Sequence, residues 1–180
     1  EKEITMSNLD ILAYNRQGRV FVGGNNANTN HIAVTNIMTG CILHNPTGSG
    51  KLIAVVDFGF SFTVAPVAMA ELGLGLIPAS SAALTTATTT TATGLARSAN
   101  GLGVAGVGRV LSVFTGPTTA VVARWCGGFS YAATGSTAYR LIDQIDGALT
   151  LMPGASVCSA ALTTTIAGVA SFTWIEIDLP

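Results

Sequence analysis

The chain has 180 residues, of which 9% are charged and 49% hydrophobic, with a formal net charge of −1. Soluble domains usually carry roughly 25% charged residues, so a lone copy would cover itself with Thr, Ser, Asn, Gly and Ala, and packing against copies of itself is expected. Basic residues are scattered singly, as at Arg16, Lys51, Arg97 and Arg124, which excludes an electrostatic footprint for nucleic acid.

Residues 1–30 are expected to form an N-terminal arm or linker, because Asn25-Asn26-Ala27-Asn28-Thr29-Asn30 is a loop-forming cluster, and residues 31–180 one β domain. Glu1-Lys2-Glu3 lead into polar sequence and do not start a secretory signal. Short strands are expected at 19–22 and 41–44, followed by an Asn45-Pro46-Thr47-Gly48 turn. Residues 52–64 carry the strongest pattern. Leu52, Ala54, Val56, Phe58, Phe60, Phe62 and Val64 alternate with residues that become polar from Asp57 onward, which predicts one continuous apolar face. The most apolar stretch, 52–79, is broken by Asp57, Pro66 and Glu71, so no membrane span is expected.

A short helix is expected at 66–72. The Thr-rich segment 82–94 suits a strand pair or a long β-excursion, since Thr is β-branched, with disorder as the alternative for so simple a composition. The Gly-rich segment 99–108 is expected as a loop or a closely packed strand. Further strands are expected at 110–114, 119–125, 129–133, 148–152, 156–162 and 171–177. Turns are expected at Gly116-Pro117, Gly127-Gly128, Asp146-Gly147 and Pro153-Gly154. Short strands punctuated in this way argue for an all-β antiparallel sandwich or barrel.

No motif carries catalysis. Asn45-Pro46-Thr47-Gly48-Ser49-Gly50-Lys51-Leu52 ends in Gly-Lys, but a phosphate-binding loop needs Gly at Asn45, a hydroxyl at Leu52 and a helix after it. Lys51 is therefore expected as a solvated charge. His31 and His44 lack a nucleophile elbow and are expected to be solvated or bonded to backbone, and Cys41 with His44 has the wrong strand spacing for a dyad. Asp143 and Asp146 flank a turn that favours Asp without chemistry. Glu176 and Asp178 alternate with Ile175 and Ile177, as in a strand with one wet face. Cys41, Cys126 and Cys158 are far apart and odd in number, which predicts buried free thiols. Trp125 and Trp174 lie in apolar runs and are expected in a core or a subunit interface; Tyr131 and Tyr139 complete the aromatic candidates for a ligand platform. No catalytic, cofactor-binding or metal-ligating set is expected.

The module from Gly40-Cys41-Ile42-Leu43-His44-Asn45-Pro46-Thr47-Gly48-Ser49-Gly50-Lys51 into the aromatic strand resembles small jelly-roll virion proteins of tailed phages. Asp146-Gly147-Ala148-Leu149-Thr150-Leu151-Met152-Pro153-Gly154-Ala155-Ser156-Val157 and Phe172-Thr173-Trp174-Ile175-Glu176-Ile177 are similar too, and the resemblance runs from Arg19 to the C-terminus. It implies a jelly-roll-like fold and a capsid cement or decoration protein, a homotrimer made in the bacterial cytoplasm that sits on the outer capsid surface and bridges major capsid proteins. A head-fibre or tail-associated module for a receptor or glycan is the alternative. Strands from 40–64 and 172–177 are expected to supply core and trimer contact, and the arm before Asn25 to add a strand to the shell.

Overall fold

The structure is a computed structural model, and it describes residues 8–25, 28–33, 37–64, 70–79, 86–89, 97–98, 105–115, 120–129, 140–161 and 165–180. One helix, α1 (Asn8–Arg16), precedes the strands β1 (Val20–Gly24), β2 (Thr29–His31), β3 (Ile37–His44), β4 (Lys51–Phe62), β5 (Ala70–Ile77) and β6 (Thr86–Thr89). They are followed by β7 (Arg97–Ser98), β8 (Arg109–Thr115), β9 (Val121–Phe129), β10 (Arg140–Leu151), β11 (Ser156–Ala161) and β12 (Ile166–Asp178).

Two antiparallel sheets pack face to face. The first runs β10-β4-β12-β1-β7, with β2 also on β12, and the second runs β6-β8-β3-β11-β5-β9. Eight of these strands pair in nested fashion: β1 with β12, β3 with β11, β4 with β10 and β5 with β9. The links β4–β12 and β5–β11 complete each sheet, which is the strand order of a jelly roll. The connection from β5 to β9 contributes β6, β7 and β8, which extend the second sheet beyond β3 and the first beyond β1.

The aromatic strand obeys its alternation only in part. Thr173 faces Asp57 and Trp174 faces Val55, so Val56 is an extra residue, a β-bulge that reverses which side chains point inward. Phe58, Phe60 and Phe62 therefore share the inner core with Ile53 and Val55. Val56 turns to the outer face instead, where it joins Val20 and Ile175 beneath Ile11 and Tyr14 of α1. The single apolar face expected from Leu52 onward is thus two faces joined at one bulge. Phe58 meets Phe172 with ring centroids 5.0 Å apart, and Phe60 meets Phe62 at 4.9 Å. Each such ring, removed from water, contributes roughly 1.5–3 kcal/mol.

Several local expectations change. Residues 20–24 do not extend toward a neighbour, because β1 is hydrogen-bonded to β12 on one side and β7 on the other. Ala70, Glu71 and Leu72 belong to β5 rather than a helix, while 65–69 lie outside the described residues. Gly127-Gly128 is not a turn; β9 runs through it, opposite Leu72 and Glu71. Asp146-Gly147 is a bulge inside β10, with both residues at positive φ, 49° and 79°. The Thr-rich segment supplies β6, four residues paired with β8. The sequence holds one helix that its pattern did not announce. Ile11 and Tyr14 face the sheet, and the clearest marker is its stop: Gly18 at φ 71°, with Arg19 N donating to Tyr14 O at 3.0 Å.

Candidate functional site

The residues with chemical potential fall into three places. The first is a polar cluster sealed beneath β11. Ser159 points into the core next to His31, which β2 carries inward, and both are fully buried. His31 Nε2 lies 3.4 Å from Gly168 O and Nδ1 lies 2.5 Å from Ser159 Oγ, so the ring donates from Nε2 and accepts the hydroxyl proton at Nδ1. Ser159 Oγ accepts in turn from Cys41 N at 3.1 Å. Phe60 stands edge-on to the imidazole at 4.8 Å. Burial pushes His31 down to about 4, so the ring is neutral, and burial pushes the Cys41 thiol up to about 12.

Gly40 makes this arrangement possible. It sits at φ 129° at a bulge in β3, and a Cβ there would lie 2.6 Å from His31 Nδ1 and 2.8 Å from Ser159 Oγ. Asn25 closes the other end. Its amide donates to Gly168 O at 3.2 Å and its carbonyl accepts from Ala170 N at 2.5 Å, which continues the β1–β12 ladder by a side chain.

His44 repeats the theme on the opposite face of β11. Its Nδ1 is 2.8 Å from Ser156 Oγ, and burial lowers its pKa. Neither histidine is solvated, then, and each has a serine partner. Sequence spacing could not show this, since the partners lie more than a hundred positions away. A Ser–His pair without solvent access cannot receive a substrate carbonyl, and a nucleophile must reach its substrate.

The second place is the C-terminal strand. Glu176 does not lie on a wet face. Regular alternation along β12 sets it on the inner face with Phe172 and Trp174, where its Oε1 accepts from Gly108 N at 2.9 Å and from the Trp174 indole N–H at 3.2 Å. Trp174 is fully buried, as expected, and Gly108 is needed because a Cβ would lie 2.9 Å from its ring. The end of the Gly-rich segment is thus held against the core within its own chain. Asp178 stays in water, where it pairs with Arg19 and Lys51. Lys51 Nζ lies against Asp178 and a strand, β4, starts at Lys51, so the Asn45 loop lacks the free Lys and the helix of a phosphate cradle. Asn45 is instead a fully buried hub that donates to Lys51 O and Leu151 O, each at 2.8 Å.

The third place is the surface. Arg124 on β9 reaches across the sandwich to Asp143 on β10 with two bonds, 2.7 and 2.9 Å, so Asp143 is an ion-pair partner and is not matched with Asp146. The guanidinium pKa is raised by that carboxylate. Trp125 next to it is 46% exposed and belongs to no core, and Val121 at 65% and Ile142 at 53% are more open still. Tyr131 and Tyr139 lie outside the described residues. Cys126 is half-buried and free, and Cys41 and Cys158 are buried and free. Among the described residues no group of three or more His, Cys, Asp or Glu could hold a metal ion, and no helix is long and apolar enough to cross a membrane. No family model matches the chain, and no curated protein or solved structure matches it either.

Proposed function

We propose that this chain is a non-enzymatic structural subunit of a tailed-phage virion, a cement or decoration protein that trimerises on the outside of the capsid and bridges neighbouring major capsid proteins. The observation that carries the reading is the make-up of its exposed sheet surface. Between Asp57 and the far ends of β4 and β12 the outward positions are Gly59, Ser61, Val169 and Ser171, where a solvated sheet would present long charged side chains. A surface so poor in charge has little to oppose association. Jelly rolls serve viral capsids as well as lectins, which supports the reading by analogy of fold alone. The sealed histidines and the failed phosphate loop fit a protein that works by contact.

A cement subunit acts by making capsomer separation expose apolar surface again, at about 25 cal/mol per Å². An interface of about 1,600 Å² is ample for this, and three linked sites add avidity. Pelleting of the purified protein with expanded, empty phage shells tests it: saturable co-sedimentation is expected, and none at any concentration contradicts the reading.

A receptor- or glycan-binding module is favoured by one feature, an open groove of about 650 Å³ lined by Asn28, Thr29, Asn30, Thr39 and Ser112 with Ile32 and Val113. Its neutral amides and hydroxyls suit a saccharide. Specific, saturable signals on a glycan array would favour this second role over cement.

A further inference from the structure

We propose that copies of this chain join head to tail, with the Trp125 edge of one copy docking on the bare half of the first sheet's outer face in the next. This rests on the assembly reading above and names its contact.

The projecting element is β9. It is the last strand of the second sheet among the described residues, and register shifts at Leu72/Gly73 and Leu74/Gly75 interrupt its pairing with β5. Bulged edges resist the addition of another strand. What β9 offers is therefore side chains. Trp125 lies across Gly73, where a Cβ would come within 2.7 Å of its ring, and so it is held in place with nearly half its surface in water. A fixed, exposed Trp is the residue type that most often anchors an interface.

The receiving element is a floor of small residues. Gly24 faces Ser171, and Ser171 faces Gly59, so three adjacent strands present almost no side-chain bulk at one level. Thr173 and Asp57 form the next level. Ile11 and Tyr14 of α1 cover the other half of this face, over Val20, Val56 and Ile175. A projecting ring and a flat floor on different surfaces of one molecule define a heterologous contact, which closes into a ring when the rotation permits and suits a trimer.

Charge agrees with shape. Asp57 has no ion pair among the described residues. Arg124, exposed beside Trp125, is the cation that a docking copy would bring to it, and its own Asp143 shares the guanidinium. A nucleic acid or an acidic partner would meet Asp57 unfavourably, whereas a second copy of this chain supplies the matching charge.

The test is sedimentation velocity of the whole chain with Trp125→Ser and Ser171→Arg, beside the unaltered protein. Each change should weaken self-association by at least about 30-fold while thermal melting shifts little, since both side chains are exposed. Disulfide trapping gives direction. Val121→Cys and Ser171→Cys proteins should cross-link when mixed and not when oxidised separately. If the parent chain associates and neither substitution weakens it, or if Ser171→Cys links to itself, the head-to-tail contact is wrong and assembly stands. If the parent chain never associates, the assembly reading fails with it.

Discussion

The outer face of the first sheet has two halves that share the strands β4, β12 and β1 and yet differ in everything else. One half packs Val20, Val56 and Ile175 under α1, so it behaves as a second, smaller core. The other half, beyond the bulge at Val56, is Gly24, Gly59, Ser61 and Ser171, left to solvent or to another copy. One inserted residue separates them. Because side chains alternate with period 2, the bulge hands Val56 to the helix and keeps Phe58 in the main core, which regular alternation cannot do. Local covering, rather than strand identity, decides which half can serve as a contact surface.

The comparison breaks most easily on the covered side. Ile175→Ala should cost about 2–5 kcal/mol in urea unfolding, as for any fully buried aliphatic truncation. Ser171→Ala, four positions earlier on the same strand and face, should change stability by no more than about 0.5 kcal/mol. Equal losses at the two positions would erase the distinction.

Acid sharpens the contrast between the sealed interior and the open face. His31 titrates near 4 in the fold against 6.5 when unfolded. Its burial keeps it neutral in the fold, so the unfolded chain binds the proton first. Stability is full above pH 6.5 and falls as the pH drops from 6.5 to 4, by about 3 kcal/mol from this residue. His44 adds in the same direction. Urea midpoints measured between pH 7.5 and pH 4 should show that slope, and a flat profile would contradict the sealed, neutral imidazole.

Smaller effects follow from single polar deletions. Ser159→Ala leaves His31 Nδ1 and Cys41 N without their shared hydroxyl and should cost about 1–3 kcal/mol. Val22→Ser, on the bare half and 41% exposed, should leave the melting temperature of an isolated subunit within error.

Much of the architecture was legible in the residues, and the losses have identifiable causes. Gly, Pro and Asn punctuation marked most strands, and the aromatic alternation at Phe58, Phe60 and Phe62 pointed inward as read. The bulge at Val56 was not visible, because an extra residue within an unbroken apolar run leaves no change in composition. Glu176 looked wet because it alternates with Ile175 and Ile177, but those two face outward beneath α1, and the carboxylate shares the inner face of Phe172 and Trp174, satisfied there by Gly108 and Trp174. Gly127-Gly128 read as a turn because Gly is permissive, whereas β9 carries both residues in register with β5. Trp125 read as core or subunit interface from its apolar neighbours; the strand is an edge with the ring 46% exposed, which removes the core reading, and only the sheet order reveals that. The histidine–serine pairs depend on contacts across the whole chain, which spacing does not encode.

Self-association is the point on which the functional account turns, and the mass of the unaltered chain in solution measures it most directly. Sedimentation equilibrium from low micromolar to near-millimolar concentration should return a discrete multimer with three copies as its limit. A single-copy mass throughout that range would contradict the account.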